Sequence, residues 1–77
     1  METTITRPLS QVKEGQTVSI VAIDGGRELR SRLTTMGLLP KTRISVIRNG
    51  KSGPFVISVK NPKVALGRAV ADKIMVS

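Results

Sequence analysis

Apolar residues alternate with polar ones in two stretches of the chain, and in one they recur at a helical spacing. TVSIVAI, Thr17–Ile23, is β-branched and puts Val18, Ile20 and Ala22 on one face. Val21 and Ile23 make its other face partly apolar, so the strand is expected to be covered on both sides near one end. FVISVK, Phe55–Lys60, alternates more cleanly, with Phe55, Ile57 and Val59 inward and Val56, Ser58 and Lys60 outward. Between them, Leu29, Leu33 and Met36 fall at i, i+4 and i+7, which predicts a helix over Arg27–Met36 with one apolar stripe.

The punctuation agrees with these elements. Asp24-Gly25-Gly26 breaks the first strand. Gly37 stands where a left-handed helix cap belongs, Leu38 follows as the apolar residue that folds back on the last turn, and Pro40 prevents continuation. A strand is predicted over Thr42–Arg48, with Ile44 and Val46 inward. Asn61-Pro62 marks a turn, Val64–Leu66 a short strand, Gly67–Lys73 one helical turn with Ala71 facing in, and Ile74–Val76 a last strand. At the other end, Met1–Pro8 is polar and expected to fray. Leu9 and Val12 sit one helical turn apart before a bend at Gly15. A single domain is therefore expected over residues 9–77. Five short strands and one helix in so small a chain predict a mainly β architecture, a small SH3-like barrel with the helix inserted after the first strand.

Composition narrows the function. The 77 residues contain no Cys and no His, which removes thiolate chemistry, the commonest metal ligand and the usual general base. Glu2, Glu14, Asp24, Glu28 and Asp72 are the only side-chain acids, and no two are spaced as a catalytic pair. No enzyme activity, cofactor or metal site is expected. Asp24 reads as a turn or helix-entry residue, and Met36 as a packing residue rather than a ligand. The net charge of +8 favours acidic partners, whether nucleic acid, anionic lipid or an acidic protein face. No apolar run approaches the roughly 20 residues that span a bilayer, and a cytoplasmic location is expected.

One motif suggests a ligand and loses on context, and a nucleic-acid reading of the charge fares no better. Gly50-Lys51-Ser52 matches the tail of a phosphate-binding P-loop, but Ser45 stands where that motif needs its first glycine. Gly53, Pro54 and an alternating strand follow, where a P-loop would start a helix. The segment reads as a hairpin loop, with Pro54 opening the next strand where its missing N–H does least harm. No nucleotide is expected to bind there, and no nucleotide is expected among the protein's partners. Nucleic-acid binding would lack an aromatic platform, because Phe55 is the single aromatic residue and alternation points it inward. Charge alone would give salt-sensitive, non-specific association.

Taken in order, EGQTVSIVAIDGG, LRSRLTTMGLLPKTRISVIRNG and GPFVISVKNPKVALGRAVADKIMV resemble the FeoA family. The most specific portion is Leu33, then Met36-Gly37-Leu38, then Pro40. Ala65-Leu66 followed by Ala71 and Ile74 comes next. The resemblance covers Leu9 to Val76. It implies an SH3-like barrel and a non-enzymatic cytoplasmic protein. It also implies a role beside FeoB, a membrane ferrous-iron transporter with a cytoplasmic GTP-binding domain, which would recruit the chain to the inner face of the membrane. Related domains occur in iron- and manganese-dependent repressors as interaction modules. One departure is Ser52-Gly53-Pro54, where the family often has Gly-Asp-Pro, so the acid is missing here.

On this reading the helix and its exit, Arg27–Pro40, form the expected contact surface. Arg30, Arg32, Leu33, Met36 and Leu38 are the candidate partner-binding residues, and Gly37, Pro40 and Pro54 have structural roles. Oligomeric state is left open. The alternatives are a small basic barrel that binds nucleic acid and a domain acting in trans on a metal-dependent repressor.

Overall fold

The computed structural model describes residues 6–50 and 53–77. Six strands form one antiparallel array: β1 (Arg7–Pro8), β2 (Thr17–Ile23), β3 (Arg43–Arg48), β4 (Phe55–Val59), β5 (Lys63–Leu66) and β6 (Ile74–Val76). Helix α1 (Arg27–Thr35) is inserted between β2 and β3, and the short α2 (Arg68–Ala71) joins β5 to β6. The hydrogen-bonded order is β1-β6-β2-β3-β4-β5. The fold is the SH3-like one expected, with six strands instead of five. β1 and β5 end the order and do not pair with each other, so the curled sheet is not closed.

β2 makes the curl possible. Its first half, Thr17–Ser19, pairs with β3, while Ile20, Ala22 and Ile23 pair with β6. The register slips between Ile20 and Ala22, where one extra β2 residue faces the partner. This bulge corrects the alternation read from sequence. Beyond it Ala22 turns outward and Ile23 turns into the core.

The N-terminal boundary also differs from the reading that ended the frayed segment at Pro8. Arg7 and Pro8 pair with Val76 and Met75. Pro8 is tolerated because β1 is an edge strand. Leu9 and Val12, carried by a 3-10 turn over Leu9–Gln11, are fully buried against β6 and α2. Each such burial contributes roughly 1.5–3 kcal/mol. Phe55, Ile57, Ile44 and Val46 supply the centre of the core from β4 and β3, as their alternation predicts.

Candidate functional site

Helix α1 starts after Gly26, which is extended and offers no side-chain cap, so Asp24 is a turn residue and not the N-cap. The helix ends in a Schellman arrangement. Gly37 adopts φ +87°, its N–H donates to the Thr34 carbonyl (2.9 Å), and the Leu38 N–H donates to the Leu33 carbonyl (2.9 Å). The reversal drives Leu38 fully into the core. Leu38 is thereby removed from the candidate contact residues: it is buried by the cap it completes. Met36, the last member of the predicted stripe, does the opposite. As the helix cap it lies at the edge of the core and is 39% exposed, and Leu39 just beyond is 44% exposed.

Leu33 is buried and Leu29 half-buried, and with Met36 they form one wall of a groove of about 160 Å³. Ala65 and Leu66 of β5, with Val70 of α2, form the opposite wall. Arg32 also lines the groove, so it adds a cation to an apolar trough. Arg30 is exposed on α1 outside that lining. Of the predicted contact residues, the fold thus brings Arg32, Leu33 and Met36 together. The second wall went unnoticed in the sequence because β5 and α2 are too short to show a period. Pro40 lies in the exposed turn after the helix, and Pro54 directly precedes β4.

The loop that imitates a P-loop leads from β3 to β4, with no helix behind it; Lys51 and Ser52 lie outside the described residues. Asn49, at the start of that loop, has a role that its sequence context does not signal. Its Nδ2 donates to the carbonyls of Val12 (2.7 Å) and Ser10 (3.1 Å), and its Oδ1 accepts from Arg68 Nη1 (3.1 Å). Its backbone N–H donates to Glu14 Oε2 (2.9 Å). The Ser10 hydroxyl donates to Asp72 Oδ1. Glu14 and Asp72 are therefore engaged in tying the N-terminal turn to the loop and to α2. Among the described residues, no three His, Cys, Asp or Glu side chains converge as a metal site, and no helix is long and apolar enough to cross a membrane.

The chain matches known proteins along nearly its whole length. The family model described as FeoA domain matches residues 7–77. A Methanocaldococcus jannaschii protein named "Putative Fe(2+) transport protein A" is 44% identical over 69 residues, covering 90% of this chain and 83% of the relative. The crystal structure of an iron uptake regulatory protein (FeoA) superposes with a TM-score of 0.86 at 35% identity, covering 96% of this chain and 97% of that one. A manganese-dependent transcriptional repressor superposes with a TM-score of 0.85 at 22% identity, and the match covers 97% of this chain and 42% of the repressor. That last likeness is one of fold alone.

Proposed function

The chain belongs to the FeoA family, and on that premise we propose that it is a non-enzymatic accessory protein of ferrous iron transport that binds the cytoplasmic side of a FeoB-type membrane GTPase transporter. The observation that carries this reading is the groove beside α1. Its apolar walls end in the exposed Met36, Leu39 is exposed just beyond the helix, and Arg32 supplies a cation to the same surface. Such a surface suits a partner segment with an apolar anchor and an acidic flank. It has no nucleophile–base pair and needs none for binding. Arg32 and Met36 are the contacts, Leu33 is the buried part of the wall behind them, and Arg30 adds long-range attraction from the neighbouring helix surface. Residence at the inner face of the membrane follows from the partner and requires no span in this chain.

Interferometry against the cognate transporter, as its isolated GTPase domain and at full length, tests the reading. Wild type is expected to bind, and Met36→Glu to lose most of the affinity while melting like the wild type. Failure of the wild type to bind the full-length transporter overturns it. A domain acting in trans on a metal-dependent repressor is a second reading, supported by the fold shared with the manganese-dependent repressor. It predicts capture of the DNA-binding protein in the absence of any transporter. Base-stacking nucleic-acid recognition is disfavoured, because Phe55, the single aromatic residue, is fully buried.

A further inference from the structure

A second concavity, of about 460 Å³, lies on the outward face of β2, β3 and β4, apart from the α1 groove. Its floor is made of hydroxyls. Thr17, Ser45 and Ser58 stand in one rung across the three strands, with Thr17 paired to Ser45 and Ser45 paired to Ser58. Thr17 Oγ1 and Ser45 Oγ are 3.0 Å apart. Two strand spacings make this floor roughly 10 Å wide. The cations Lys41, Arg43 and Lys60 surround it, and no acid is among the described residues that line it. Arg43 precedes Ile44 on β3, and Lys60 directly follows Val59, the β4 residue paired with Ile44. Short hydroxyls beneath long cations form a basin of donors.

The backbone adds an independent observation. Lys41 (φ 75°) and Lys60 (φ 65°) are the two non-glycine residues in the left-handed region among the described residues. Both line this basin. Lys41 is pinned by its N–H donating to the Ile20 carbonyl, and Lys60 by the turn that the Val59 N–H to Pro62 carbonyl bond closes. Glycine or asparagine would occupy either turn with less strain. The sequence instead holds a long cation at each, both lining one hollow. Strained positions of this kind cluster at binding sites.

We propose that this basin binds a phosphoryl oxyanion, with Arg43 as the bidentate partner, Lys41 and Lys60 as point charges, and Ser58 together with the one member of the Thr17–Ser45 pair whose proton is free as hydroxyl donors. A planar guanidinium matches two phosphate oxygens, and the flanking ammonium groups neutralise the remaining charge. With no aromatic residue on this face, recognition is confined to the phosphate, so GTP should bind no more tightly than tripolyphosphate. The phosphate can belong to a lipid headgroup or to a free ligand.

Amide NMR of the full chain, titrated with inorganic pyrophosphate at 100 mM salt, is one arm of the test. Flotation with phosphatidylcholine vesicles, with and without phosphatidylglycerol, is the other. In whichever arm binding occurs, it should saturate, and Arg43→Gln should weaken it about tenfold or more. In the pyrophosphate arm, the amides of Ser45, Ser58 and Lys60 should move. Arg30→Gln should leave binding unchanged. Lys60→Gly and Lys41→Gly should weaken binding while melting at or above wild type, because glycine relieves the left-handed strain. This outcome cannot come from misfolding. Saturation with pyrophosphate alone identifies a free phosphate, and Arg43-dependent flotation alone identifies a headgroup. Shifts that rise linearly, or flotation equally sensitive to Arg30 and Arg43, would reduce the basin to general surface charge and overturn the proposal, as would no binding in either arm.

Discussion

Arg68, the first residue of α2, donates from Nη1 to Oδ1 of Asn49 at 3.1 Å and so joins α2 to the β3–β4 loop. Asn49 passes the connection on through Nδ2 to the carbonyls of Ser10 and Val12. This one side chain holds the N-terminal turn, the β3–β4 loop and α2 together. The groove beside α1 depends on it indirectly, because α2 carries Val70 in the groove wall.

Asn49→Ala is expected to destabilise the domain by about 2 kcal/mol, since three part-buried polar partners lose their bond at once. For a chain of this size that corresponds to a fall in Tm of about 10 °C. Arg68→Ala removes one bond and should cost about 1 kcal/mol. Asn49→Asp keeps the acceptor for Arg68 and loses both Nδ2 donors, so it should fall nearer to the alanine variant than to wild type. Urea melts of the four proteins check the order. Equal midpoints for wild type and Asn49→Ala would show that the network is solvent-replaceable.

Gly37→Val should cost about 1–3 kcal/mol, through backbone strain at φ +87°. Steric overlap is not the cause, because an added Cβ would approach only Val59 Cγ1, at 4.0 Å. Gly37→Asn should accordingly recover most of the loss, since asparagine tolerates the left-handed region. Denaturant midpoints that fail to rank glycine, asparagine and valine in that order would refute the cap as the source of the cost.

Reversing Arg30 and Arg32 to Glu should change stability by less than about 0.5 kcal/mol, since both side chains are exposed. It should weaken association with the transporter, chiefly through a slower, salt-sensitive on-rate. The two positions should separate: Arg32→Glu, inside the groove lining, should also speed dissociation, and Arg30→Glu should not. Interferometry across a salt series, beside thermal melts, distinguishes them. If the double variant binds like wild type, the helix charges are merely solvated and the apolar wall carries the contact.

No tight ferrous site is expected in the isolated protein. The chain has neither His nor Cys, and Glu14 and Asp72 are already hydrogen-bonded to Asn49 and Ser10. Hard cations need several converging oxygen ligands. Anaerobic calorimetry with ferrous iron checks this, and a stoichiometric submicromolar complex would contradict it.

Local pattern alone carried much of this fold. Alternation located Thr17–Ile23 and Phe55–Val59, the i, i+4, i+7 stripe located α1, and Gly37 with Leu38 announced its cap, because each depends on residues within one or two turns of each other. The ordered motifs likewise sufficed to place the chain in its family. Tertiary structure decided what depends on register. The slip at Ile20–Ala22 exchanged Ala22 for Ile23 in the core, since a single extra residue reverses every side chain beyond it. Pairing with β6 turned Arg7 and Pro8 from a frayed tail into a strand. The Schellman reversal buried Leu38 and left Met36 outside, although both look equally apolar in sequence. Asn49 became a hub, and Thr17, Ser45 and Ser58 became one floor, only when strands far apart in sequence were laid side by side. Periodicity records which face a residue shares with its neighbours in the chain. What stands opposite that face is set by non-local pairing, and no local pattern encodes it.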